Sequence, residues 1–236
     1  MIAATWRRVG GSAVYALLAL AFVLAGSIAS GAEKSKTDLL WFDPTQLPSF
    51  TGTVDRFFPT PDGKIDRLVF KEGPQIVFPP DAYDALREVA SKGQPLVVWG
   101  IRARHAAVIT MLAFGAPEGE PTVLDRFYWR PEAAKQQGRH EMMLTGKVWV
   151  PYLSPQGQTA GAILENGDVI RVDPSAAAGF KDRFAAGAHI VAAGAGADTP
   201  LGKAIDADRI GEAADKLEHV PEAHPAAHAG GGRPAR

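Results

Sequence analysis

Apolar positions along this chain come in short runs broken by Gly and Pro, and the runs recur. Slid against itself by 94 residues, the segment 50–115 falls on 144–209 without a gap. Thr51 and Gly52 meet Thr145 and Gly146, and Val54 meets Val148. Pro61 and Gly63 meet Pro155 and Gly157, Gly73 meets Gly167, and Ile76 meets Ile170. Pro80 meets Pro174, and Gly93, Val97 and Gly100 meet Gly187, Val191 and Gly194. The shared residues are mostly those that set turns and strand interiors, so what repeats is a scaffold.

Each copy predicts the same elements. A strand carries Gly-x-Val (Phe50 to Phe58; Leu144 to Tyr152), and a Pro-x-Gly turn follows it. A second strand runs to Phe70 or Leu164, then a tight turn holds Gly73 or Gly167; Asn166-Gly167 is a strong hairpin signal. A third strand (Gln75 to Phe78; Val169 to Val172) ends at Pro80 or Pro174, which cannot extend a ladder. A helix comes next, with Asp81 or Ser175 as the expected cap and Gly93 or Gly187 as the stop. Two more strands close each copy: Leu96 to Ile101 and Ala107 to Phe114, then Ile190 to Ala195 and Lys203 to Ile210.

This order, β-β-β-α-β-β twice, resembles the OB-fold, a five-stranded Greek-key barrel with a helix between strands three and four. The Gly-x-Val strand, the Asn-Gly hairpin and the helix position carry the resemblance, which covers somewhat over half the chain. The chain also resembles exported bacterial proteins of this fold with no assigned activity. The expected fold is therefore mainly β, with two tandem five-stranded OB-like barrels, one over 50–116 and one over 144–210. Between them, 117–143 is a connector, too long for plain loop. It holds a possible strand from Val123 to Trp129 and a short helix from Pro131 to Gly138. A lead-in, 33–49, carries Leu39, Leu40, Trp41 and Phe42 as packing residues. The segment 211–236 allows one helical turn up to Val220, then becomes a tail of Pro, Ala, Gly and His that cannot bury a core.

The N-terminus has its own pattern. Arg7 and Arg8 precede an apolar run from Ala13 to Ala25, and small-x-Ala sites end at Ala29 and Ala32. No acidic residue occurs before Glu33. That is the order of a secretory signal peptide over 1–32, with cleavage after Ala29 or Ala32. Thirteen apolar residues span about 20 Å as a helix, short of a bilayer core of about 30 Å. The expected location is periplasmic or secreted. The alternative is an inner-membrane anchor, with membrane contact only if this segment is retained.

Composition narrows the function. Among 236 residues there is no cysteine, which excludes disulfides, thiolate metal sites and a cysteine nucleophile. The net charge of −1 gives no global field for nucleic acid. Copy one has 8 Lys and Arg against 7 Asp and Glu, and copy two has 6 against 7, so neither is a basic funnel. No GxSxG, HExxH, P-loop or calcium-loop motif occurs, and the expectation is a protein that is not an enzyme and needs no cofactor.

Two constellations remain. OB barrels commonly bind along strands two and three, between the loops joining strands one to two and four to five. In copy one that region offers Arg56, Phe57, Phe58, Lys64, Arg67, Arg102 and Arg104 as ligand-binding candidates. Copy two replaces Arg56, Phe57 and Phe58 with Val150, Pro151 and Tyr152, so specificity is expected to reside in copy one. If the barrels arose by duplication, shared residues are scaffold and differing ones carry binding. The second constellation is metal-like: His140 with Met142 before the first strand of copy two, and His219, His224 and His228 in the tail. Imidazole and thioether suit copper or another transition metal. In an extended segment His140 and Met142 share a face, while Met143 points away. The bland expectation there is that Met143 fills core and His140 is solvated.

The sequence thus reads as an exported, non-catalytic binding or scaffold protein of the bacterial envelope. Its expected partner is an envelope protein, a glycan or a small molecule. Single-stranded nucleic acid binding and periplasmic copper binding are the alternatives.

Overall fold

The computed structural model describes residues 42–124 and 138–221. The expected leader, the lead-in up to Trp41, the connector strand beyond Leu124, the helix from Pro131 and the tail with His224 and His228 lie outside the described residues.

The first barrel begins with β1 (Ser49–Pro59), which pairs antiparallel with β2 (Ile65–Phe70) along one half and with β4 (Pro95–Arg102) along the other. β3 (Gln75–Val77) pairs antiparallel with β2 and parallel with β5 (Val108–Gly115), which also pairs with β4 and so closes the barrel. A 3-10 turn (Pro80–Ala82) and helix α1 (Tyr83–Val89) lie between β3 and β4. The second barrel repeats this with β7 (His140–Leu153), β8 (Thr159–Leu164), β9 (Val169–Arg171), β10 (His189–Thr199) and β11 (Gly202–Gly211). Its helical segment is α2 (Pro174–Ala177), which runs into a 3-10 stretch (Ala178–Phe184) kinked at Phe180. Both are closed, five-stranded OB-like barrels.

The shared glycines explain how one strand serves two neighbours. A Cβ at Gly52 would lie 2.2 Å from the Phe70 ring, so glycine lets that ring lie flat on the β1 backbone. At Gly146 a Cβ would meet Leu164 at 3.1 Å. Each strand bulges just past this point, between Val54 and Arg56 and between Val148 and Val150. Bulges increase local twist and let a strand coil around a small barrel. The interiors fill with apolar side chains: Leu68, Phe70, Phe78 and Leu86 in the first, Leu164, Ile170, Phe184 and Ile190 in the second.

Three expectations are corrected. Asp81 is not the cap of α1, because it lies inside the 3-10 turn and Ala82 stands at the cap position. In copy two Asp173, two residues before Ser175, is the cap, and it accepts the Ser175 N–H at 2.8 Å. After Gly211 the chain forms β12 (Leu217–His219) on the edge of β11, where a helical turn was expected. β6 (Thr122–Val123) sits on β5 in the same way.

These edge strands reveal a shift in the repeat. Val77 pairs with Thr110 as Arg171 pairs with Asp206, a step of 94 on one strand and 96 on the other. Leu124 N–H bonds to Leu112 O as Val220 N–H bonds to Asp208 O, again a step of 96. The gapless match therefore ends in the fourth strand. β10 and β11 extend their hairpin to a tight turn at Thr199 and Gly202, two residues longer than its counterpart. With that insertion the repeat reaches Leu124 and Val220.

Candidate functional site

The two barrels are docked through the faces that OB barrels commonly use for ligands. A third apolar cluster joins them: Phe58 and Val69 from the first barrel, and Tyr152, Ala160, Ile163, Val169 and Ala204 from the second, all buried. Phe58 and Tyr152 are repeat partners, as are Val69 and Ile163, so the contact is pseudo-twofold. The turns take part as well. A Cβ at Gly157 would sit 2.8 Å from Ala106 Cβ and 3.1 Å from Ala103 Cβ, placing the first turn of barrel two on the β4–β5 loop of barrel one. Reciprocally, a Cβ at Gly63 would lie 3.5 Å from Ala197 Cβ on β10.

This geometry gives a graded expectation. Gly157→Ala forces alanine to φ +88° and into the opposite barrel. The conformation alone costs about 1–2 kcal/mol, and overpacking adds roughly 1–3 kcal/mol. Gly93→Ala, at φ +83° with no atom within 4 Å, should show only the first part. Urea denaturation of both variants measures the difference.

The docking redistributes the candidate ligand residues. Phe57 packs edge-on against Phe78 and Tyr83, centroids 6.3 and 5.3 Å away, and supports the core beneath α1. Phe58 is wholly buried in the junction, its ring centroid 6.1 Å from that of Trp149. Arg56 reaches across: its guanidinium lies 5.0 Å from the Trp149 ring centroid and donates to Glu165 O at 3.2 Å. Arg67, expected on the surface, is 0% exposed. The cause is the second barrel, which covers β2. Lys64 is exposed beside Asp62, its Nζ 3.9 Å from the carboxylate. Arg102 and Arg104 are exposed at the β4–β5 loop. The seven do not form one site.

What the fold brings together is a cavity of ≈ 390 Å³ at the junction, lined by Arg67, Tyr152, Ser154, Ala160, Arg171, Asp173 and Asp206 among others. The Arg67 guanidinium lies 3.8 Å from the Tyr152 ring centroid, and that of Arg171 lies 5.7 Å from it. Arg67 Nη1 donates to Gln75 Oε1, and Gln75 is itself tied to the second barrel. Its Nε2 donates to Pro151 O at 2.6 Å, and its Oε1 accepts Leu153 N–H at 3.2 Å. Nε and Nη2 of Arg67 are buried and make no hydrogen bond. Asp206 Oδ2 accepts from Arg139 Nη2 at 2.8 Å, and its Oδ1 lies 3.7 Å from Arg171 Nε. Chemically, the arrangement is a desolvated guanidinium edge beside an aromatic wall, with its neighbouring carboxylates already engaged.

Tyr152, Gln75, Arg139, Arg171 and Asp206 were not among the sequence candidates. A signal was present, since each cavity charge breaks the repeat. Arg67 stands opposite Gly161, Arg171 opposite Val77, and Asp206 opposite Thr110 once the two-residue shift is applied. A second cavity of ≈ 700 Å³ is lined by Lys181, Arg183, His189 and Glu212 among others. Arg183 and Glu212 pair with each other there. None of the unpartnered buried polar atoms among the described residues belongs to it.

The metal candidates are placed separately. His140 is exposed at the start of β7, opposite Gly196. Met142 packs on the core of the second barrel, and Met143 is 52% exposed. Met142 thus does the filling that was expected of Met143. His219 lies in β12 opposite Arg209. Among the described residues no group of three or more His, Cys, Asp or Glu is placed to hold a metal ion. No described helix is long and apolar enough to cross a membrane.

No family model matches the sequence, and no curated protein matches it. Among solved structures the chain is similar to a deletion mutant of the single-stranded DNA binding protein from Thermus aquaticus. The identity is 14%, over 75% of this chain and 95% of that one, with a TM-score of 0.21. A likeness that weak carries no weight for this chain's function.

Proposed function

We propose that this chain is an exported, non-catalytic binding or scaffold protein of the bacterial envelope, with its binding site in the cavity at the barrel junction. The observation that carries this reading is the mutual burial of both strand-two and strand-three faces, with a charged cavity at the contact. The docked face is the one through which OB barrels take extended ligands, so a long strand or glycan has no open groove there. A cavity of ≈ 390 Å³ falls within the range of small-molecule sites. Among the partner classes considered, a small molecule fits best. Export is supported by Arg7 and Arg8, the apolar run that follows, and the small-x-Ala sites.

Cell fractionation with mass spectrometry should find the chain soluble in the periplasm and beginning at Ser30 or Glu33. Intact Met1 on membrane-bound protein would overturn the export. Native mass spectrometry of periplasmic material should show a small-molecule adduct that is lost in Ala160→Leu, whose longer side chain fills the cavity. An adduct that persists in that variant would place the site elsewhere.

A further inference from the structure

The inference below rests on the junction cavity being the binding site and concerns the chemistry of what enters it. Of the charged residues lining the cavity, Arg67 alone is fully buried. One nitrogen, Nη1, is committed to Gln75, which the second barrel holds in place. One face of the guanidinium is committed to Tyr152. The edge formed by Nε and Nη2 is left, buried and without a hydrogen bond. Nε and Nη2 form the side-on fork of a guanidinium, two near-parallel N–H groups spaced for two oxygens of one planar anion. Buried charged donors without acceptors are costly and rare, and they cluster where a ligand completes them.

Among the described residues, the two acids that line the cavity do not fill this role. Asp173 accepts the Ser175 N–H at 2.8 Å as a helix cap. Asp206 is held by Arg139 at 2.8 Å, with Arg171 Nε 3.7 Å from its other oxygen. Asp206 is thus shared between Arg139 and Arg171. At this edge Arg67 supplies one positive charge, which a monoanion matches, whereas a phosphate dianion would bury a second charge that this guanidinium does not offset. The rest of the lining includes Tyr152, Ala160, Val172 and Pro174, which suits an apolar body. The pseudo-equivalent place on the other side has Gly161, Val77 and Thr110 for the key charges, so the duplication supplies one such site.

We propose that the junction cavity binds a small monocarboxylate, held side-on by Nε and Nη2 of Arg67, with its apolar body against Tyr152 and Val172.

The test uses the full mature chain and three probes: benzoate, its neutral analogue benzamide, and phenyl phosphate. The Arg67 Nε–H resonance is assigned by its disappearance in Arg67→Met. It should move downfield and saturate with benzoate, and stay in place with benzamide. Phenyl phosphate should bind about tenfold more weakly or worse. Arg67→Met should weaken benzoate about tenfold or more, as expected for loss of a charged hydrogen-bond pair, while Arg102→Ala should leave it unchanged. If Arg67→Met does not fold, Arg67→Lys, which also lacks an Nε–H of this kind, provides the assignment and the saturable wild-type shift decides the matter. Benzamide binding as tightly as benzoate, or benzoate binding unchanged in Arg67→Met, would overturn the carboxylate proposal and leave the cavity standing as a site. If none of the three probes shifts the Tyr152 or Ala160 resonances, both readings fall.

Discussion

Phe58→Ala and Tyr152→Ala should each cost about 3–5 kcal/mol, the usual penalty for deleting a buried aromatic ring. Each should also change how the chain melts. Both rings are buried only because the other barrel covers them. A barrel of this size, standing alone, buries only about 60% of the surface its unfolded chain exposes and is marginal. The wild-type chain should therefore unfold in one cooperative transition. Either variant should lower that transition and separate it into two, one for each barrel. Differential scanning calorimetry reads both effects. A loss under about 1 kcal/mol, with a single transition kept, would mean that the junction is a loose contact between independent domains. The same reasoning applies to cutting the chain between Leu124 and Gly138. Each half exposes an apolar face, so the halves should reassociate on mixing.

The sequence carried the barrels because their determinants are local. Gly52, Gly63, Gly73 and Gly93 mark a strand bend and three turns, and their copies recur in register with Gly146, Gly157, Gly167 and Gly187. The second strand, expected to run to Phe70, ends there. The docking was not legible, because an outward Phe58 or Val69 looks the same in sequence whether it faces a ligand, a partner or a second barrel. Arg67 shows the limit most clearly. On an isolated barrel it would project from β2 into solvent, and only the packing of Tyr152 over it makes it a buried charge. The β12 strand escaped for a related reason. A three-residue edge strand is fixed by its pairing with Arg209, Ile210 and Gly211 rather than by any periodicity of its own. The differing residues Arg67, Arg171 and Asp206 converge on the junction and not on an open face.

Arg67→Met should stabilise the free protein by about 1–3 kcal/mol while removing its ligand. The sign follows from comparing what the guanidinium gains with what its burial costs. It gains a cation–π contact with Tyr152, worth about 2 kcal/mol when desolvated, and a hydrogen bond to a neutral amide, worth about 1.5–3 kcal/mol. Against this stand a desolvation penalty of several kcal/mol for a buried charge and two charged nitrogens without acceptors, about 1–3 kcal/mol each. Methionine removes both costs and fills nearly the same volume, and its thioether still contacts the Tyr152 ring. Gln75 is not orphaned, because its Oε1 keeps the Leu153 N–H and its Nε2 keeps Pro151 O. Arg67→Ala lacks this compensation, since it leaves a void beside the existing cavity. It should therefore be the less stable of the two by about 2 kcal/mol or more. Urea titrations of the three proteins, without ligand and with benzoate, separate the terms. Benzoate should raise the wild-type midpoint and leave the Met variant unmoved, because only a ligand that binds the folded state adds stability. A Met variant that is destabilised by more than about 1 kcal/mol at unchanged urea dependence would show that the protein already satisfies this charge internally. In that event Arg67 would be a structural cross-brace between the barrels, and the reason to expect an anion beside it would be gone.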